Sequence, residues 1–384
     1  MTKFAENISE AKDWCSYWEI DKFNKPAPAD FTNDKAFWYN LNANLDLINA
    51  CLRLYKWTGD KSYLESPLFI NFYEKTLNEY LDRWQLNIDD LFKRESILNK
   101  TIPFDEKNSH YTCRGIPSYI EGVDGMQIGG DLVALLYKGN SAYGEMLKIR
   151  GNNTDNSKYE SKALSYREHL QNFWWNANKQ TYNAYLMENG AFIESKGDAN
   201  PFIMWSGIVN QEDRIKTILN NIVSRNYWNV ETASYLPLLF YRYGYSKEGY
   251  KMIVYLSDKK TKRREYPEVS FSVVESIITG LLGVNPDASK NQVSTFSQLP
   301  LETKWAEAKN IPMLGTSISV KQEGNSRTTF TNNGKIDILW VAKFDDKFNS
   351  IEIDDKETEA LCDESTIYCK MVVQPGKTIV AKSK

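Results

Sequence analysis

The chain reads as a mainly α protein: a toroid or solenoid of helical hairpins followed by a small C-terminal β-sandwich. Three observations predict this. Apolar residues before position 285 recur at helical spacing, the helices are punctuated by the same glycine-and-cap signal, and the pattern after 285 changes to short β-branched runs.

The first helix is expected over 37–57. Phe37, Leu41, Leu45, Ile48, Leu52 and Tyr55 fall three or four apart and form one apolar stripe. Thr58-Gly59-Asp60 ends it, with Gly59 suited to the position after the last turn and Asp60 or Ser62 to capping the next helix. That next helix runs through Tyr63, Leu64, Phe69, Phe72, Leu77 and Leu81, giving an αα-hairpin with a very short connection. The punctuation recurs. A helix over 131–150 stops at Gly151, and another follows over 158–173. A helix over 232–243 stops at Gly244, and Ser246 is placed to cap 247–256. The repeat is one of form rather than of sequence.

From 285 the sequence reads as a turn-rich linker to about 312. Strands are then expected over 316–321, 327–331, 337–343, 350–353, 366–373 and 378–381. Six strands at this spacing suggest a compact sandwich in a supporting or lectin-like role. The expected domains are therefore 1–285, carrying the chemistry, and 286–384, linker and sandwich.

Composition bounds the function. Lys+Arg 47 against Asp+Glu 50 gives a formal charge of −3, without the basic excess of a nucleic-acid binder. No apolar run is long enough to span a membrane. The N-terminal residues lack the apolar core of a signal peptide, which leaves a cytoplasmic or a processed, exported location open. Five cysteines are scattered; Cys362 and Cys369 are near enough to pair, and free thiols are the simpler expectation. With only His110 and His169 present, a His-rich metal site is excluded, and His169 in a helical run reads as structural. The 11 Trp, 23 Tyr and 17 Phe supply core and, in principle, faces for stacking on sugar rings.

The densest signal is Arg114-Gly-Ile-Pro-Ser-Tyr-Ile-Glu-Gly-Val-Asp-Gly-Met-Gln-Ile-Gly-Gly-Asp131, with five glycines and three carboxylates. Glycine allows close backbone approach or positive φ, and carboxylates on such a loop suit sugar chemistry. A solvated turn with surface acids explains the same residues. Asp131 reads as the cap of the following helix. A second acidic segment, Arg263-Arg-Glu-Tyr-Pro-Glu268, precedes a helix expected over 271–282, and Pro267 favours a loop there.

The segments Tyr55-Lys-Trp-Thr-Gly-Asp-Lys-Ser-Tyr-Leu64, Gly115–Gly122 with Gly129-Gly-Asp131, Phe173-Trp-Trp-Asn176 with Tyr182–Tyr185, Arg264–Phe271 and Gly280-Leu-Leu-Gly-Val-Asn-Pro-Asp-Ala288 together carry a family likeness. The chain resembles the six-hairpin, (α/α)6-barrel glycosidases, nearest to the α-L-rhamnosidase-like clan. The resemblance covers most of the chain and identifies the fold better than the substrate. It departs in two ways: about nine or ten helices are legible before 285 where a full barrel has twelve, and the β-domain that usually precedes the barrel is not seen. A shortened barrel, or short helices within 85–125 and 195–225, is expected.

The resemblance implies a glycoside hydrolase, inverting, with a carbohydrate substrate and no cofactor or catalytic metal; a structural cation such as Ca²⁺ and the oligomeric state are left open. Such an enzyme needs a protonated carboxyl at the leaving oxygen and a carboxylate that activates water, about 6.5–9.5 Å apart. Matched by order and context, Glu121 takes the acid role and Glu268 the base role. Asp124 competes with Glu121, Glu265 competes with Glu268, and Glu231 is a third alternative. Arg114 and Arg264 are candidates to bind substrate through a guanidinium fork, and Tyr119, Tyr266 and Trp205 through stacking. Of Trp174 and Trp175, adjacent on a helix and so about 100° apart, at most one faces the pocket. Two rival classes are a polysaccharide lyase using Tyr111 beside His110 with Arg114, and a non-catalytic carbohydrate-binding protein.

Overall fold

The computed structural model describes residues 1–94, 114–123, 125–194, 199–225, 228–363 and 365–384. The chain forms two compact units. The first contains Met1–Arg53 and Lys61–Arg225, the second Leu54–Asp60 and Asn226–Lys384.

The first unit begins with α1 (Thr2–Glu6) and the short strands β1 (Phe31–Asn33), β2 (Ala36–Phe37) and β3 (Tyr39–Asn40). The first long helix, α2 (Asn42–Thr58), follows. It starts five residues later than its apolar stripe suggests. Phe37 belongs to the β1–β2 hairpin, and β3 pairs in parallel with β4 (Arg114–Ile116). The backbone at 37–41 thus finds partners outside the helix, which periodicity of side chains does not register. From Leu45 on the stripe holds: Leu45, Ile48, Leu52 and Tyr55 are buried. Buried Asn44, in the first turn of α2, ties the helix start to the preceding chain: it accepts from Tyr39 Oη at 2.5 Å and donates to the Trp14 carbonyl at 2.9 Å.

Gly59 has φ +77° and donates to the Tyr55 carbonyl, ending α2 as expected. Neither Asp60 nor Ser62 caps the next helix; Lys61 precedes α3 (Ser62–Glu65), with no side-chain cap. Pro67 then opens α4 (Pro67–Lys75), which runs through a π turn (Thr76–Tyr80) into α5 (Leu81–Arg83). The single helix expected over 63–81 is therefore broken before Pro67, the residue that cannot continue a preceding hydrogen-bond ladder.

After β5 (Met126–Gly129) come α6 (Gly130–Ile149) and α7 (Asn153–Phe173), the most extensive helical hairpin of the unit. Asn152 caps α7, its side chain accepting from the Asp155 amide. Residues 175–194 form β6 (Trp175–Asn176), β7 (Thr181–Met187) and β8 (Phe192–Glu194), antiparallel and joined to β5. A helical pattern was expected there; the largely buried strand Thr181–Met187 packs on α6 and α8 instead. Two short helices, α8 (Ala199–Ser206) and α9 (Glu212–Ser224), lie in the interval where hidden helices were expected.

The second unit carries α10 (Val230–Arg242), α11 (Ser246–Ser257) and α12 (Pro267–Glu275), the last continuing as a π turn to Leu281. These helices pack on one another. Tyr245, not Ser246, occupies the cap position of α11, and Ser246 Oγ instead meets Gln298. The strands are β9 (Asn285–Asp287), β10 (Gln292–Phe296), β11 (Trp305–Met313), β12 (Thr316–Glu323), β13 (Arg327–Asn332), β14 (Ile338–Asp345), β15 (Ile351–Ile353), β16 (Lys356–Thr358), β17 (Leu361–Cys362), β18 (Thr366–Val373) and β19 (Thr378–Ser383). They form a five-stranded sheet, β17-β18-β14-β10-β9, and a six-stranded sheet, β11-β12-β13-β19-β15-β16.

All six expected strands are present. The expected linker over 285–312 is a correction: it supplies β9, β10 and most of β11, whose turn residues Asn285-Pro-Asp and Pro312 sit at strand positions. The core of this unit gathers Val293, Ile318, Phe330, Trp340 and Phe344. Trp340 stacks on Phe330 with ring centroids 4.9 Å apart and donates its indole N–H to Thr295 Oγ1. Cys362 and Cys369 are free thiols, Cys362 pairing in register with Ile367.

Candidate functional site

The 114–131 loop is built from the first unit. β4 holds its start against β3, and the Gly129 amide donates to the Pro117 carbonyl, closing the loop on itself. Asp131 then locks it. This carboxylate is buried in the first turn of α6 and accepts from Ser118 Oγ at 2.8 Å, the Tyr119 amide at 2.7 Å and Asn42 Nδ2 at 3.0 Å. Its expected role as helix cap is thereby corrected. Gly129 occupies the cap position, and Asp131 spends its oxygens on the preceding loop and on α2.

Gly129 is present for space. A Cβ there would stand 2.2 Å from Asp131 Oδ1 and 2.7 Å from Ser118 Cβ. Gly122 and Gly125 serve differently: both have φ +71°, and no atom lies within 4 Å of a Cβ added to Gly122. Their role is turn conformation rather than close packing.

Glu121 is exposed and accepts from Asn40 Nδ2 at 3.4 Å. Asn40 is itself buried, and its Oδ1 meets no donor among the described residues, as is true of Asn42 Oδ1. Tyr119 is partly buried, with its ring 5.3 Å from that of Phe202 on α8. Trp205 follows Phe202 by three residues on α8 and is half-buried. Arg114 contributes its backbone to β4. Asp124, and the His110 and Tyr111 of the lyase alternative, lie outside the described residues.

One participant was not singled out in the sequence. Asp46, on α2 one turn beyond Asn42, accepts the Tyr119 hydroxyl. Burial pushes its carboxyl up from 3.8 to about 6; Tyr119, Arg53 and Lys138 pull it down, and Asp131 adds to the rise. Asp131 is likewise raised by burial, against the pull of its donors. The available signal was the Asn42-x-x-x-Asp46 spacing, which puts two polar groups one turn apart on the same face of α2.

The second acidic segment has a different build. Glu268 lies in the first turn of α12, which starts at Pro267 with Tyr266 before it. The loop expected to carry Glu268 ends at Tyr266, because proline is well suited to the first helical position. Glu265, Arg264 and Glu268 are exposed. Glu231, in the first turn of α10, forms an exposed ion pair with Arg263 at 3.3 Å, and the Arg263 guanidinium lies 4.1 Å from the Tyr266 ring centre. Glu121 belongs to the first unit, and Glu231, Glu265 and Glu268 to the second.

Of the tryptophan pair, Trp174 is fully buried at the end of α7, and Trp175 lies in β6 with Arg214 over its ring. His169 is buried beside Phe92 and Phe173, and burial lowers it to about 4, consistent with a structural place. Among the described residues no cluster of His, Cys, Asp or Glu is arranged to hold a metal, and no helix is long and apolar enough to cross a membrane.

Comparison with known proteins adds the wider context. The trehalase family model matches residues 121–235, less than a third of the chain. No match was found among curated proteins. An α-L-rhamnosidase from Dictyoglumus thermophilum aligns with TM-score 0.59 at 12% identity, covering 88% of this chain and 39% of that one. A GH78 family rhamnosidase of Bacillus sp. GL1 aligns with TM-score 0.53 at 12% identity, over 76% of this chain and 31% of that one. A structure described as a sialidase aligns with TM-score 0.54 at 12% identity, over 84% and 32%. The chain thus spans well under half the length of each of these structures. The trehalase match that begins at Glu121 and the rhamnosidase alignments agree with each other: the fold is similar to that of six-hairpin glycosidases.

Proposed function

We propose that the protein is an inverting glycoside hydrolase acting on a polysaccharide or oligosaccharide, its helical hairpins belonging to an (α/α)6 toroid within residues 1–285 and its sandwich over 286–384 serving as support. The observation that carries this reading is the Glu121 loop. An exposed carboxylate is held by a buried asparagine on a turn anchored by Asp131, in a chain whose fold is shared with glycosidases. Such a loop presents an acid to solvent while its backbone is fixed, which is what protonation of a leaving group requires.

In the proposed reaction Glu121 donates its proton to the glycosidic oxygen as the bond to the anomeric carbon breaks. Water attacks that carbon from the opposite face and gives up its proton to Glu268. The leaving sugar departs as an alcohol, and the anomeric configuration inverts. Asp124, Glu265 and Glu231 are the alternative carboxylates for these two roles. Tyr119 on the loop, Trp205 on α8, and Tyr266, Arg264 and Arg114 are the proposed sugar contacts.

The experiment is a screen of aryl glycosides and plant glycans, followed by Glu121→Gln and Glu268→Gln on a substrate that is cleaved. Each variant is expected to lose roughly 10²–10⁴-fold in kcat while keeping the far-ultraviolet spectrum of the parent. The loss in Glu121→Gln should be smaller on p-nitrophenyl glycosides, whose leaving group needs little protonation. Proton NMR of the first-formed sugar reports inversion. Full activity in both variants would sink the assignment.

A further inference from the structure

Asn42 and Asp46 lie one turn apart on α2 and reach the same segment of the neighbouring loop. Asn42 donates to Asp131, and Asp131 accepts the Tyr119 amide. Asp46 accepts the Tyr119 hydroxyl. Tyr119 is therefore held at both ends by carboxylates from two helices, with its ring against Phe202 of a third. Ser118 Oγ adds a bond to the Ile120 amide, so the turn leading from Tyr119 to Glu121 has few ways to move.

We propose that Asp46 is a positioning residue of this site: it fixes the Tyr119 ring and, through Tyr119, the turn that presents Glu121. This rests on the reading of the loop as a glycosidase site. A phenol tethered at its hydroxyl has one ring orientation instead of a freely rotating one, so a sugar stacked on it meets a preset face. The tether is charge-assisted when Asp46 is ionised and weaker when it is protonated. The groups that face Asp46 are Tyr119 from the loop, Arg53 on its own helix, and Asp131 and Lys138 on α6. Since burial pushes the Asp46 carboxyl up to about 6, the tether changes strength within a range of pH in which the enzyme can be assayed.

The test uses the full chain in two arms. In the first, tyrosine is labelled with ¹³C at the hydroxyl-bearing carbon, and the Tyr119 signal is identified as the one lost in Tyr119→Phe. That signal is expected to shift with a midpoint near pH 6, the value to which the Asp46 carboxyl is raised, and to stop doing so in Asp46→Asn. A signal that does not shift, or shifts equally in Asp46→Asn, overturns the proposal whether or not any glycoside is cleaved. In the second arm, kinetics on a cleaved p-nitrophenyl glycoside should show kcat falling about tenfold or more in Asp46→Asn with KM changing less than about threefold, and the limb near pH 6 flattened. Tyr119→Phe should show the same loss, and the double variant no further loss. Additive losses, or an unchanged pH profile, overturn the proposal. Wild-type inactivity on every glycoside overturns the glycosidase reading instead, and leaves the first arm to decide the role of Asp46.

Discussion

The two acidic segments of this protein contrast in construction. Around residues 117–131 the described carboxylates have assigned donors: Asp131 takes three, Asp46 takes the Tyr119 hydroxyl, and Glu121 takes Asn40. Around 263–268 the acids stand at helix starts in solvent, and the ion pair from Glu231 to Arg263 is about half exposed on both sides. Hydrogen bonds to buried carboxylates shape a backbone, whereas exposed ion pairs contribute on the order of 0–1 kcal/mol. The first segment is thus an element of the fold and the second a decoration of it, although both were singled out by their acidic composition.

The sharpest way to break this contrast is Asp131→Ala. It strands Ser118 Oγ, the Tyr119 amide and Asn42 Nδ2, so urea unfolding should report a loss of about 3 kcal/mol or more, each unsatisfied buried donor costing roughly 1–3. A loss under about 1 kcal/mol would show that the loop does not depend on this anchor.

Gly129→Ala tests the same anchor by volume. The new methyl collides with Asp131 Oδ1 and Ser118, and a loss of about 1–3 kcal/mol is expected on unfolding. Gly122→Ala meets no neighbour and should cost about 1 kcal/mol, through its positive φ alone.

Asp46→Asn sharpens the comparison through pH. Because the folded pKa is raised from 3.8 to about 6, the folded chain binds more protons than the unfolded one between these values. The stability from this group is fully present below the unfolded value and is lost as pH rises through about 6. The variant, which cannot ionise there, should therefore gain on wild type from pH 4.5 to 7, by on the order of 1 kcal/mol for a partly exposed group. Melting curves at both ends of that range check it, and an equal difference at both pH values contradicts the burial of this carboxyl.

The smallest effect belongs to the second segment. Glu231→Gln and Glu268→Gln should each change stability by less than about 0.5 kcal/mol, whatever they do to turnover. A larger loss in either would mean that the segment is more deeply integrated than its exposure indicates.

Much of this was legible in the residues. The stripe of Leu45, Ile48, Leu52 and Tyr55, the stops at Gly59, Gly151 and Gly244, and six strands after 316 follow from local rules that act within a few residues. The misplacements arose where a distant partner overrode local pattern. Phe37 joined a hairpin, residues 181–187 became a strand against α6 and α8, and the segment read as a linker supplied sheet edges and interior. Pro67 and Pro267 had their ordinary effect; the consequence of each for an adjacent helix start was what the periodicity obscured.

The same division holds for the site. Glu121, Tyr119 and Asp131 could be picked from a Gly-rich acidic loop because composition is local. Asp46 and Asn40 could not, because what makes them important is a bond to residues more than seventy positions away. By itself the sequence determined which segments would be helix or strand wherever side-chain period and stop signals agreed. It also singled out the acidic loop for chemical interest. Only the tertiary structure decided which carboxylates are buried, which donors they receive and hence which way their pKa values move, since desolvation and hydrogen bonding depend on neighbours that chain order does not specify.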